Sequence, residues 1–348
     1  MAATTLTIGN ELLSTTMHIV MKEWRDNIYT STAFLEAQTR VHGEGSPTQA
    51  GGTRIVQPLG FGEHSNTTRL QTGYERIDLS VSDVFQPAVY DFAHVVRPIA
   101  ISSEEELTNQ GDAAILSILE NRVTSVANAL KREYVKQMVQ GSVVGWEDWN
   151  TLNGIDETNG FLAPNAAGGG AQAASVGGVS KATFSSKTGW NNQFFDGSDS
   201  FNSNGLAGLY DLMVEINAVS AQGNPNVILA SRSGFKNLKR ALQASERYMD
   251  EKSLDGGKMS TTFQGVPIDV EYYMPNAGTT SATTEGSFYV LNMNDIHCLW
   301  DPKGYFDLSD FETVSGEYDV RAAKLRVRGQ LIAKHLGSSG LAVNLDTF

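Results

Sequence analysis

One stretch constrains the fold more than any other. Ser103 to Gln140 reads SEEELTNQGDAAILSILENRVTSVANALKREYVKQMVQ, and Gly141 follows. Ile115, Leu119, Val123, Val126, Leu130, Tyr134 and Met138 recur at steps of three or four, which is one face of a helix. Ser103 and Glu106 have the spacing of a capping box. Gly111-Asp112 is an expected interruption, after which the helix restarts. Lys131, Arg132 and Lys136 suit the negative end of the helix dipole, and Gly141 is a natural stop. From Asp112 to Val139 the rod is about 42 Å long at ~1.5 Å per residue. Such a rod is longer than most helices of a globular domain.

The segment before it is extended. After the flexible GSPTQAGGT, Thr53 to Phe61 is an extended run in which Pro58 fits an edge strand. Tyr74, Arg76, Asp78 and Ser80 then alternate with Glu75, Ile77, Leu79 and Val81, a period of two. Val84 to Ile101 continues extended. The expectation is a long two-stranded hairpin with its tip near residues 62 to 73. Arms of about fifteen residues span ~50 Å at ~3.3 Å each. An isolated ribbon of this kind is marginal in water, so it needs its own domain or a partner. Upstream, Asn10 to Trp24 carries Leu13, Met17, Val20, Met21 and Trp24 at helical spacing on an otherwise polar arm.

After the helix the composition shifts. Residues 163 to 189 are rich in Gly, Ala and Ser and read as a loop or surface insertion. Regular structure resumes with a helix of about four turns from Leu206, a short strand Asn226 to Ala230, and a helix capped by Ser231 or Ser233. Strands are expected at Thr262–Tyr273, Phe288–Leu291 and Ile296–Trp300. In Val320 to Lys334, Ala323, Leu325 and Val327 face one way and Lys324, Arg326 and Arg328 the other. That basic stripe belongs either to a solvated face paired with the chain's own acids or to a contact with another subunit or nucleic acid.

The net charge of −13 argues against coating nucleic acid by phosphate neutralisation. No apolar run reaches the ~20 residues of a membrane span. The single cysteine, Cys298, excludes an internal disulfide framework and a Cys-based zinc site. The six histidines form no close metal-binding pair, and no P-loop, G-x-S-x-G or G-x-G-x-x-G is present. Asp196-Gly197-Ser198-Asp199 reads as a plain turn rather than a cation loop. Glu147 and Asp148 between Trp146 and Trp149 suggest sugar stacking with acid chemistry, but no second, separately placed carboxylate supports a glycosidase. No catalytic residue, cofactor or metal ligand is expected.

The order of parts is an N-terminal arm, an extended hairpin, a long helix, a glycine-rich α/β region and a return to strands. This order resembles a tailed-bacteriophage major capsid protein of the Hong Kong 97-type fold. TRIVQPLGF and YDFAHVVRPIAISSEEEL resemble the approach and return of that family's extended loop into its spine helix. LNGIDETNGFL resembles the turn region after the spine. NVILASRSGFKNLKRAL and FQGVPIDVEYYMP resemble its axial domain, and YVLNMNDIHCL and VRAAKLRVRGQLIAKHLGSSGLAVNL its closing strands. The resemblance runs from about residue 45 to the end.

It implies an α+β fold. Residues 1–45 would be the arm, 46–90 the extended loop, 91–204 the peripheral domain with spine helix 103–140, 205–300 the axial domain, and 301–348 the return strands. The function implied is a structural one: a shell of hexamers and pentamers enclosing double-stranded DNA without reading its sequence, in a virion assembled in the host cytoplasm. No charged, helical scaffolding segment precedes the arm, so the expected partners are a separate scaffolding protein and a portal, with room for a decoration protein. The tip, residues 62 to 73, has no lysine, so a Lys–Asn crosslink is not carried over. Expected intersubunit contacts are Trp24 in the arm, Arg54, Glu63, Arg69, Glu75 and Arg76 in the hairpin, and Arg321, Arg326 and Arg328 in the last long strand. The alternatives are a phage or cell-surface carbohydrate-binding or fibre-like protein, suited by the polar loops and Trp146/Trp149, and a hydrolase with scattered catalytic residues.

Overall fold

The computed structural model describes residues 33–60, 84–108, 118–141, 143–153, 160–162, 175–181, 190–197, 201–219, 224–243, 261–274, 286–313, 319–346 and 348, with isolated positions between 67 and 80. The expected arm helix and the Gly111-Asp112 interruption lie outside the described residues. A helix not expected from sequence, α1 (Ala33–His42), opens the described chain. It buries Phe34 and Ala37, and the buried Glu271 carboxylate accepts the amide of Phe34 at its start.

Strands β1 (Arg54–Gly60) and β2 (Phe85–Asp91) pair antiparallel from Arg54↔Asp91 to Gly60↔Phe85. Among the described residues the paired arm is seven residues long, roughly 23 Å, and most of the expected tip lies outside them. Among the described positions of 74 to 81, none lies in a strand, and Tyr74 and Leu79 stand in the open at 96% and 86% exposure. The period-two pattern there has no partner strand to fix it. Two short strands, β4 (Ser175–Val176) and β5 (Val179–Ser180), lie under β2, where Gly177 O accepts the amide of Val89 at 2.9 Å.

β3 (Ala93–Ser102) leads into α2 (Ser103–Thr108). The capping box here is Ser102 with Glu105, not Ser103 with Glu106. Each amide is held by the other's side chain at 3.2 Å. Ser103 is otherwise engaged, since its amide and hydroxyl bond Asp319 at 3.2 and 2.6 Å. The long helix is α3 (Ile118–Val139), 22 residues. It stops where expected. Gly141 has φ +80° and its amide returns to Gln137 O at 3.0 Å. The carbonyls that a helix end leaves open are met from outside: Met138 O by Leu152 N and Thr151 Oγ1, Val139 O by Tyr289 Oη, and Gln140 O by Asn153 Nδ2.

Two sheets organise the rest. In the first, β14 (Val320–Ala333) pairs over ten residues with β3. Its other side is shared in succession by β11 (Ile296–Trp300), β12 (Asp307–Leu308) and β13 (Glu312–Thr313). The second sheet has the order β6 (Gln193–Asp196), β15 (Gly340–Val343), β10 (Phe288–Leu291), β7 (Val227–Ala230), β9 (Val266–Val270), β8 (Thr261–Phe263). Thus β11 leaves the 205–300 segment for the first sheet, whereas β6 and β15 join the second from outside it. Helices α4 (Phe201–Val219) and α5 (Arg232–Gln243) cover one face of the second sheet through Leu212, Ile216, Phe235 and Leu238. α4 starts five residues before the expected Leu206. Of the two expected caps for α5, Ser231 serves, its Oγ accepting Gly234 N at 3.2 Å. The other face of that sheet, with Leu229, Tyr289 and Leu341, belongs to the larger core.

Tyr134 of α3 sits in that larger core among Trp146, Trp149, Trp300 and Phe306, with ring centroids 5.2 to 6.2 Å away. Cys298 is buried there as the small apolar residue expected, with the Tyr134 hydroxyl 2.7 Å from its sulfur.

Candidate assembly surfaces

The hairpin has two faces set by its register. Ile55, Leu59, Ala88 and Tyr90 point inward and are buried. The opposite face stacks the pairs Val56–Val89, Pro58–Pro87 and Gly60–Phe85. Val56 is 60% exposed and Phe85 76%. An apolar strip thus runs along the outside of the ribbon, closed at its root by an ion pair in which Arg54 Nε donates to Asp91 Oδ1 at 2.8 Å. Both strands are apolar on both faces, which is the sequence signal for a ribbon covered twice. It marks Val56, Phe85 and Val89, apolar residues absent from the charged set expected from sequence.

Of the expected contact residues, Arg69 and Arg76 are exposed beyond the strands, near the exposed Tyr74 and Leu79. Trp24, Glu63 and Glu75 lie outside the described residues. The outer face of β14 alternates as expected, with Ala323, Leu325 and Val327 buried. Two of its cations lie beside carboxylates of the same chain. Arg326 bonds Asp307 and Arg328 bonds Asp301. Arg328 also donates to Gly52 O at 2.8 Å and sits over the Phe92 ring. Arg328 is thereby placed at the root of the hairpin, beside Gly52 and Phe92. Arg321, at the other end of the strand, is exposed.

The long helix changes along its length. Leu130, Tyr134, Val135, Met138 and Val139 are fully buried, whereas residues 121 to 129 are half-buried or exposed on every side. That half is tied down by polar bonds. Arg122 forks onto both oxygens of Glu105 at 2.7 and 2.8 Å and reaches Ala100 O. This guanidinium holds the Glu105 carboxyl down at about 2.

Among the described residues, no catalytic constellation emerges. Trp146 and Trp149 are 1% and 0% exposed, so they are core residues and offer no platform for a sugar. A polar cleft of about 700 Å³ beside the hairpin root is lined by Asp91, Glu147, Asp148 and Gln330. The Glu147 carboxylate is occupied by Gly145 N, which holds its pKa down. His297 stacks on His42 with centroids 4.9 Å apart. Burial, with Lys334 and His42 nearby, lowers its pKa to about 3. Among the described residues, no three His, Cys, Asp or Glu side chains are placed to hold a metal, and no helix is long and apolar enough to cross a membrane.

No family model matches the sequence, and no curated protein matches it. Solved structures match over almost the whole chain. The capsid asymmetric unit of cyanophage A-1(L) aligns with TM-score 0.66 at 12% identity, covering 97% of this chain and 100% of that one. The capsid of a native GTA particle aligns with TM-score 0.58 at 13% identity, covering 98% and 99%. The holo-SrpI encapsulin complex of Synechococcus elongatus gives 0.57 at 10% identity, covering 98% and 97%. The ribbon, the long helix and the two sheets described above are thus the parts of one architecture, and the chain has the Hong Kong 97-type capsid fold.

Proposed function

We propose that this chain is the major capsid protein of a tailed double-stranded DNA phage, assembling through hexamers and pentamers into a closed shell. The observation that carries the reading is the hairpin's uncovered apolar face. A two-stranded ribbon is marginal alone; this one is covered by its own core on one face only, and an apolar strip left open on the other marks a contact surface. A neighbouring copy is its natural cover, because a shell repeats one contact many times and needs each to be only moderate. The half-exposed start of α3 fits the same account. The likeness in fold to phage capsids supports it. Arg54, Arg69 and Arg76 then set register across the contact rather than its strength, since exposed ion pairs are individually weak. Arg321, Arg326 and Arg328 of β14 are a second contact set, and Trp24, Glu63 and Glu75 complete the proposal.

The shell encloses the genome without gripping it: with a net charge of −13 the chain as a whole repels phosphate. The role is structural, its site is the virion, and assembly in the host cytoplasm draws on a separate scaffolding protein and a portal. The test is electron microscopy with light scattering on the expressed chain, alone and with the scaffolding protein encoded beside it. Closed shells, or free hexamers and pentamers, bear out assembly. Nuclease-protected DNA in particles from the source bears out the genome. A chain that stays monomeric or trimeric in every condition overturns the reading, and shells filled with protein assign a compartment instead.

A further inference from the structure

Helix α5 carries four cations, as many as β14, on an acidic chain. Arg232, Lys236, Lys239 and Arg240 fall on one face, and its sequence holds no carboxylate. Arg232, Lys236 and Arg240 are exposed. Two of these cations sit over aromatic rings that are themselves open to solvent. Arg232 lies 4.8 Å from the centroid of Tyr272, which is 41% exposed. Arg240 lies 5.8 Å from that of Phe348, which is 50% exposed. This side of the domain is a surface of cations and rings.

Helix α4 has the opposite chemistry. It contains no Lys or Arg, and its two charges are Asp211 and Glu215. Its buried face is Phe201, Leu209, Leu212, Met213 and Ile216. On the outside, Leu206, Tyr210 and Val214 recur every fourth residue and are 38%, 55% and 49% exposed. That row is an apolar stripe with the two acids along one side. The helices lie side by side on one face of the sheet and pack against each other. α4 packs over β6 and β15 at one end, and α5 runs from β7 toward β9, whose following Tyr272 receives Arg232.

We propose that the acidic, apolar face of α4 in one copy receives the basic face of α5 in the next, as a head-to-tail contact. Charge complementarity selects a second copy over nucleic acid as the occupant, since the matching acidic surface is present on this same domain. Two different faces joined in this way make a heterologous contact, which propagates and closes into a ring if the rotation permits. The aliphatic stems of the cations cover the Leu206–Tyr210–Val214 stripe while their heads reach Asp211 and Glu215. The contact rests on the capsid reading and deepens it: it names the surfaces that join subunits within a capsomer.

The test uses two charge-reversed full-length chains, Asp211→Lys/Glu215→Lys and Lys236→Glu/Arg240→Glu. Circular dichroism confirms that each is folded, and Asp211→Lys alone replaces the first pair if that pair is not. Like charges then face each other in every ring of one variant, so each assembles at least about tenfold less than wild type at equal concentration. Mixed one to one, the variants regain complementarity at every joint, provided copies alternate. The mixture therefore restores six-membered rings and not five-membered ones, read by negative-stain microscopy, whereas all four substitutions in one chain restore both. If wild type assembles and the folded variants do so equally well, or if the mixture restores nothing, the contact is wrong while the capsid reading stands. A Lys236→Glu/Arg240→Glu chain that builds normal shells holding less DNA also overturns it, giving α5 to nucleic acid. Failure of wild type itself to assemble overturns both.

Discussion

Arg54 and Asp91 are 66% and 71% exposed at the side chain, so their bond adds little to folding. Arg54→Ala is expected to change subunit stability by no more than about 0.5 kcal/mol in urea while lowering shell yield. An equal loss of both would make Arg54 a folding residue instead. Gly177 is a stricter position. It has φ +59°, and a Cβ there would lie 2.9 Å from Ala88 Cβ and 3.0 Å from Tyr90 Cζ. Gly177→Ala should cost about 1–3 kcal/mol, measured by urea unfolding, because the strain of the backbone adds to a clash under the hairpin. His297 supplies a pH dependence. Its folded pKa is about 3, below its ordinary value near 6.5, so the unfolded chain binds the proton first. The stability this residue contributes is complete above pH 6.5 and is lost as pH falls toward 3, at about 1.4 kcal/mol per unit. His42 and Lys334, the charges facing it, oppose the proton further. His297→Gln should show a shallower loss between pH 6.5 and 5 in urea midpoints. A slope equal to wild type would assign the acid sensitivity elsewhere.

Among the elements, the long helix was the most legible, because period and stop signal are local. Gly141 takes the left-handed turn its position asked for, and Gly141→Ala should cost about 1 kcal/mol. The box at its approach shifted by one residue because Asp319, far away in sequence, claims Ser103. Tertiary competition of this kind has no local signature. The hairpin was legible in kind but not in length. Alternation alone does not say which residues find a partner strand, and the described positions among 74 to 81 lie outside any strand. The half-buried start of α3 predicts a contrast in hydrogen exchange. Amides of residues 121 to 129 should exchange faster than those of 130 to 139 in the free subunit and become protected in the shell. Deletion of residues 62 to 73 should leave the unfolding midpoint of the subunit nearly unchanged and abolish shells. A deletion that assembles normally would remove the loop from the contact.

At the scale of the whole molecule, two sheets share one chain that passes between them several times. β10 and β11 are separated by only a few residues, yet β10 lies beside β7 and β11 beside β14. β14 and β15 part in the same way. Such crossings have no signal along the chain, because the neighbour of each crossing strand lies far away in sequence. The tryptophans failed as sugar ligands for a related reason. Trp146 and Trp149 read as a polar, surface-like turn, and only packing against Tyr134 and Trp300 makes them core.

By itself the sequence determined the helix and its stop, the existence of an extended ribbon, the two-faced last strand and the acidic balance. Each is a property of neighbours along the chain: periodicity, turn chemistry and charge count. The tertiary structure alone decided which strand joins which sheet, which serine caps, which aromatics are buried, and which apolar faces are left uncovered. Those outcomes depend on the burial of residues distant in sequence, where the energy of one contact is settled only when its partner arrives. The uncovered faces of the hairpin and of α4 carry the same logic one step further, to partners that are other copies of the chain.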